Sequence, residues 1–337
     1  MSGGVDSTLA ASLLVEQGHE VLGGTLQLVD HPPAADRPDP AGAAAALGIP
    51  FTCWDLRAEF ERLVVSPFTA AYAVGRTPNP CALCNARVKF GLLLELARGQ
   101  GADALATGHY AGISSQSDGS SRLVRGADRR KDQSYFLFAV ARAALPLIRF
   151  PLGGLTKDVV RAMARERGLA AAERAESQEI CFVPGDDYAG FLANRPVGGA
   201  FVPGPVTDAA GVQLGEHRGL ANYTVGQRRG LGFATGRPLY VVALDAANNR
   251  LVVGADDELW RRDLVAAGVN WLVDEPRGEF RAAVRIRSRH EPAPATLSAA
   301  GGRSWRVLFD EPQRAITPGQ GAVFYDNDIV LGGGWIQ

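Results

Sequence analysis

Three short segments carry residues that could do chemistry: Ser2-Gly3-Gly4-Val5-Asp6-Ser7, TPNPCALCN with Cys81 and Cys84, and SQEICFVPG with Cys181. Paired glycines let backbone N–H groups converge on phosphate oxygens, and a helix beginning there turns its positive end to the same anion. GxxxxGK[ST] is absent, so the turn is not a Walker A loop. Asp6 cannot itself favour a phosphate. Its expected tasks are to hold Mg²⁺ or to cap the helix, and the plainer reading is a glycine turn capped by Asp6. The CxxC pair suits half a zinc site, a redox dithiol or part of an iron–sulfur site. No second CxxC and no HxxxH follows, which argues against structural zinc. Cys84 is expected at a loop-to-helix junction, where N–H groups, Arg87 and Lys89 would stabilise a thiolate. Cys181, in a short apolar run, reads by itself as a buried structural cysteine, and Cys53 as strand core.

The elements that must position these groups alternate. Leu9, Leu13 and Leu14 share a helical face ended by Gly18; residues 20–28 and 48–54 read as strands. The stretch 30–40, with four prolines, reads as an exposed loop. A helix over 86–102 feeds a strand at 103–110, and another helix runs from Thr156 as N-cap to Gly168. Strands alternating with helices argue a parallel sheet covered on both faces up to about residue 190. Beyond Pro196, short β-branched runs separated by glycine and proline predict small β-rich domains. The expected division is 1–195, 196–262 and 263–337. The 337 residues suffice for two or three cores, and 35 basic against 36 acidic residues create no global field for a polyanion. Any nucleic-acid binding must come from local patches. No apolar run reaches spanning length and no signal peptide is seen, so a cytoplasmic protein without membrane partners is expected.

SGGVDS resembles the pyrophosphate loop of the N-type ATP pyrophosphatases, which cleave ATP between its α- and β-phosphates to adenylate a substrate. Taken with TPNPCALCN, ATGHY, RRKDQSYFL, YTVGQRRGLG and TPGQGAVFY, the chain resembles the bacterial tRNA-specific 2-thiouridylases from its first residues to near its end. The resemblance implies an α/β fold, with a parallel-sheet, adenine nucleotide alpha hydrolase-like domain followed by a β-rich central domain and a C-terminal β-barrel. It implies that Ser2, Gly3, Gly4, Val5, Asp6 and Ser7 bind the ATP phosphates, with Gly108 and Leu26 against the nucleotide. The family more often has methionine at the position of Leu26. Cys181 would carry a persulfide and Cys84 would be its partner, with a disulfide between them as the product of transfer. Asn79, Pro80 and Cys81 would face the target uridine. His109, Lys131, Asp132, Gln133, Arg287, Ser288 and Gln320 would contact the tRNA. ATP and Mg²⁺ are the implied cofactors, and a persulfide carrier or cysteine desulfurase the implied partner.

Two departures set further expectations. The strand that precedes such a loop in the family has no residues here, so the natural chain is expected to begin upstream. Cysteine stands at position 81, where many members have aspartate. Three cysteines, Cys81, Cys84 and Cys181, could hold a [4Fe–4S] cluster with one open iron, a competitor to the persulfide route. The stretches 122–136 and 281–290 are locally basic; Tyr135 or Phe136 could stack on a base if exposed, and the alternation of residues 285–289 reads as a strand with its basic side outward. Two other functions compete: an adenylating ATP pyrophosphatase using an amine nucleophile, and an RNA-binding protein with a degenerate nucleotide site.

Overall fold

The computed structural model describes residues 1–30, 39–172, 180–183, 185, 187–193, 195, 198–232 and 238–337. Most of the Pro-rich stretch and residues 176–179 of the Cys181 segment lie outside them. The chain forms two compact units, each assembled from separated stretches. The first comprises Met1–Leu63, Ala82–Gln178 and Asn327–Leu331; the second comprises Val64–Cys81, Glu179–Asp326 and Gly332–Gln337.

In the first unit, two strands, Gly23–Gln27 and Phe51–Asp55, pair in parallel, and so do Leu105–Ala106 and Ile148–Arg149. The strand expected over 103–110 is thus only two residues long; Thr107 N–H still donates to Arg149 O (3.1 Å), after which the chain turns away. Cys53 is exposed rather than core, because its two-stranded sheet leaves that position uncovered. Pro40, expected in the exposed loop, instead begins the helix Pro40–Ala46, with Asp39 capping it by accepting from Gly42 N–H (2.8 Å).

The helices Val5–Glu16 and Lys157–Glu166 pack through Val5, Leu9, Ala10, Val160 and Ala164, with Tyr110 and Leu152 completing the buried cluster. Asp6 pairs with Lys157 near one end, and Glu16 with Arg167 just beyond the other (2.6 Å), so the two helices run in the same direction. Gly18 and Gly168, both at positive φ, follow their C-termini as the sequence predicts. A hairpin, Ala111–Ser115 with Ser121–Arg125, joins Asn327–Leu331 through Ile329 opposite Val124.

The second unit holds the β-rich half. Gln213–His217, Gly204–Thr207, Arg250–Gly254 and Tyr240–Asp245 form a four-stranded sheet over Val206, Tyr223, Val241, Leu251 and Val253. Six strands then close into a barrel, in the order Trp260–Trp271, Trp305–Arg314, Ala293–Ala299, Phe280–Arg285, Gly321–Asp326 and Ile329–Ile336; the last pairs back with the first. Trp271, Phe280, Trp305 and Phe324 meet edge-on or tilted at 5.2–5.9 Å, with Trp305 and Phe324 buried. Among the described residues no helix is long and apolar enough to cross a membrane.

Candidate active site

The glycine turn forms a helix start: Val5 is the first helical residue and Gly4, rather than Asp6, is the N-cap. Gly3 takes φ +74°, a left-handed conformation that glycine adopts freely. No side chain caps this helix. The first N–H groups of a helix have no partner within it, so the end is open to an anion. The turn is braced from its sides: Ser2 N–H donates to Ser7 Oγ (3.0 Å), while Ser7 Oγ and Thr8 Oγ1 donate to Gly4 O (3.2 and 2.9 Å).

Asp6 is not the cap. It sits at the second helical position, and its carboxylate takes the ammonium of Lys157 at 2.7 and 2.9 Å and the hydroxyl of Tyr110 at 2.8 Å. The lysine sits over the Tyr110 ring, 5.5 Å from its centroid. Lys157 and Tyr110 were both missed in the sequence. Tyr110 was within reach, as the last residue of ATGHY, whereas nothing in the sequence links position 157 to position 6.

The strand-end ATGHY arrives at the same place. A Cβ on Gly108 would lie 2.7 Å from the Asp6 carbonyl carbon, so only glycine lets this backbone close on the turn. His109 faces elsewhere. Its ring packs tilted against Phe90 and edge-on to Phe150, both about 5.7–5.8 Å away, and Nδ1 meets Thr107 Oγ1 at 2.8 Å. Burial, and then the charge of Lys89, push its pKa well below the usual 6.5, so the ring is neutral. Leu26 is half-buried in the first strand, opposite Trp54.

The cysteine segment is helical from Pro80, six residues before the expected start, and widens to π-type turns over Cys84–Leu93. Cys84 is therefore inside a helix rather than at its junction, and it is buried. Such widened turns are rare and recur at functional sites. Asn85, buried beside it, donates to Phe136 O (3.1 Å), and its side-chain oxygen has no hydrogen-bond partner among the described residues. That open acceptor next to the thiol was also missed. Cys181 is exposed, not the buried structural cysteine that its apolar neighbours suggest; Phe182 turns inward instead, onto Phe68 and Phe191. Cys81 is exposed as well. No group of three or more His, Cys, Asp or Glu side chains among the described residues is arranged to hold a metal ion.

The residues expected to meet RNA take inward partners. Asp132 is buried and accepts from Gly126 N–H, Ser134 N–H and Ser134 Oγ, each at 3.0 Å. Gln133 exchanges hydrogen bonds with the Tyr110 backbone, its side chain accepting from the N–H at 2.9 Å. Lys131 is half-buried and its N–H donates to Asp128 O. Tyr135 is fully buried and cannot stack on a base; Phe136 meets it edge-on at 5.3 Å. The strand at 280–285 ends at Arg285, and Arg285 and Ile286 are buried, so the alternation does not form an outward basic face. Arg287 donates to Val225 O (2.9 Å), Ala315 O (2.7 Å) and the Thr317 hydroxyl. Ser288 O accepts from Arg285. Gln320 donates to Thr77 O and Pro78 O, both at 3.1 Å, and so holds the residues leading into Asn79, Pro80 and Cys81. Asn79 and Pro80 are themselves buried.

Comparison with known proteins places this arrangement. Residues 1–185 match the model of the tRNA methyl transferase HUP domain, 191–255 that of the tRNA methyl transferase PRC-barrel domain, and 261–336 that of the aminomethyltransferase beta-barrel domain. The "tRNA-specific 2-thiouridylase MnmA" of Syntrophotalea carbinolica is 50% identical over 100% of this chain and 97% of its own length. The proteins of the same name from Geobacter metallireducens and Chloroflexus aggregans are 48% and 47% identical, again over 100% of this chain, with 95% and 96% of theirs covered. An open helix end behind a glycine turn, a HUP domain around it and full-length identity near one half lead to one conclusion: this chain belongs to the tRNA-specific 2-thiouridylase family.

Proposed function

We propose that this protein is a tRNA-uridine 2-sulfurtransferase that replaces the 2-oxygen of the wobble uridine by sulfur at the expense of ATP. The carrying observation is the uncapped start of Val5–Glu16 with Gly108 closed against it, a helix end of the kind that binds phosphate, in a chain that also keeps thiols at 84 and 181. A carbonyl oxygen leaves poorly. Transfer of AMP from ATP to that oxygen, with release of pyrophosphate, turns it into a good leaving group.

In this reading Ser2, Gly3, Gly4, Val5 and Ser7 hold the phosphates, and Gly108 and Leu26 border the nucleotide. Asp6, whose carboxylate keeps an exposed side beside Lys157, would hold Mg²⁺ together with the phosphates, and the ion would supply charge neutralisation to the polyphosphate. An exposed Cys181 suits loading by an external persulfide donor. The terminal persulfide sulfur attacks the activated C2 and AMP leaves. Cys84, as thiolate, then attacks the Cys181 sulfur; the S–S bond to the base breaks, its electron pair stays on the new thiocarbonyl, and a Cys84–Cys181 disulfide remains for a dithiol reductant to reopen. Alternatively Cys84 attacks the persulfide first and releases sulfide, which attacks C2. Asn79, Pro80 and Cys81 face the uridine. The parts 1–195, 196–262 and 263–337 serve as catalytic, central and tRNA-docking regions, in the cytoplasm.

The cluster alternative would use Cys81, Cys84 and Cys181 as joint ligands, and no step is derived through it. The decisive experiment incubates protein, ATP, Mg²⁺, tRNA and a persulfide donor and seeks 2-thiouridine by mass spectrometry. Cys181→Ser should lose thiolation and keep ATP-dependent AMP transfer to the tRNA; unchanged thiolation would refute the role of Cys181. AMP formation with an amine and no thiolation would favour the amine-using alternative.

A further inference from the structure

The geometry points to Lys157 as the positioning residue of the phosphate turn: it neutralises and aims Asp6 so that the open helix end can accept a polyphosphate. This rests on the reading of that turn as an ATP site. Asp6 places a full negative charge in the first turn of the very helix whose positive end must attract an anion, and a bare carboxylate there opposes phosphate binding. Lys157 cancels it at 2.7 Å. The lysine side chain is 7% exposed and the aspartate 33%, so the cation is locked inside while the carboxylate keeps one side open.

The lock is built from three directions. The lysine's own N–H donates to Asp128 Oδ2 at 3.1 Å. Its helix is held parallel to Val5–Glu16 by the Val5, Leu9, Val160 and Ala164 packing and by Arg167 with Glu16 at the far end. Tyr110, donating to Asp6 Oδ1 and lying under the ammonium, fixes the carboxylate's rotation.

The test measures ATP binding to the full-length protein by calorimetry, once with Mg²⁺ and once with ATP alone in EDTA, alongside thermal unfolding without nucleotide. Lys157→Met should raise the Kd for ATP in EDTA about tenfold or more, the size of one uncompensated charge beside an anion. Lys157→Arg should stay within about threefold of the wild type, since it preserves the charge. Asp6→Asn combined with Lys157→Met should recover most of the loss in EDTA, because the repelling charge is gone. Wild-type affinity in Lys157→Met, an arginine variant as weak as the methionine one, or a double variant as weak as the single one would each overturn the inference. Should Lys157→Met fail to fold, the other two decide against the wild type: an arginine variant or a double variant about tenfold or more weaker than the wild type in EDTA would overturn the inference. A wild-type protein that binds no ATP under either condition would instead overturn the nucleotide reading itself.

Discussion

The helices beginning at Val5 and at Lys157 run side by side in the same direction, yet their first turns are finished in opposite ways. The second is closed by the protein: Thr156 Oγ1 accepts from Val159 N–H and Asp128 from Lys157 N–H. The first has glycine at its cap and no side chain over its N–H groups. Capping supplies about 1 kcal/mol per helix, so a helix end left without it is available for something else. Two adjacent helix starts in one unit thus separate an end capped by a side chain from an uncapped one. A parallel contrast holds within the residues expected to touch ligands. At the glycine turn the first helical N–H groups have no side-chain cap, whereas Asp132, Gln133, Arg287 and Gln320 spend hydrogen bonds on the protein's own backbone.

The contrast can be broken most severely at Gly108. Gly108→Ala drives a Cβ into the Asp6 backbone and must displace the turn; AMP formation with tRNA should fall about a hundredfold, as for a reacting group misplaced by ~1 Å. Activity within threefold of the wild type would show that the turn is not the site. Gly4→Ser next sharpens the contrast between the two ends by giving the first helix a cap. Stability should change by only a few tenths of a kcal/mol, while ATP affinity should drop about tenfold as the hydroxyl competes for the N–H groups.

The converse change is Thr156→Ala on the second helix, expected to cost about 1 kcal/mol in urea unfolding and to leave the Kd for ATP within about threefold. Gln320→Ala removes two hydrogen bonds to the Thr77–Pro78 carbonyls. A strut predicts about 1 kcal/mol lost and a lower thiolation kcat, with an unchanged salt slope of tRNA binding. A marked fall in tRNA affinity would instead mark it as an RNA contact. The smallest effect concerns pH. Because burial holds the His109 pKa well below 6.5, the unfolded chain binds more protons between that lowered value and 6.5. Stability is therefore complete above about pH 6.5 and declines as pH falls through that window. The thermal midpoint should drop by a few degrees from pH 7.5 to 5.5, and His109→Asn should flatten that slope.

Local patterns carried far in the reading. The Leu9–Leu13 spacing, Gly18, the Thr156 cap and Gly168 mark helices that the structure contains, because caps and periodicity act within a few residues. Most of the β-branched runs expected beyond Pro196 became strands, the one at 280–285 stopping at Arg285, and the six-stranded closure follows the α/β-then-barrel expectation. Where the reading failed, a distant partner intervened. The alternation at residues 285–289 looked like an exposed strand because only neighbours in sequence were in view. Arg287 is drawn instead to carbonyls 28 and 62 residues away. Cys181 looked buried because its neighbours are apolar, yet it is Phe182 that fills the pocket beside Phe68.

What the sequence by itself determined is chemistry with short range: a glycine turn before a helix, cysteines at 84 and 181, and a run of motifs in one family's order. Backbone conformation at glycine and hydrogen bonding within a turn depend on a handful of adjacent residues, so a string suffices to read them. Which charges are cancelled and which stay available was decided only by the tertiary structure. The 151 positions between Asp6 and Lys157 shrink to 2.7 Å because two helices bury a shared apolar strip, and electrostatic energy depends on distance and burial rather than on order along the chain.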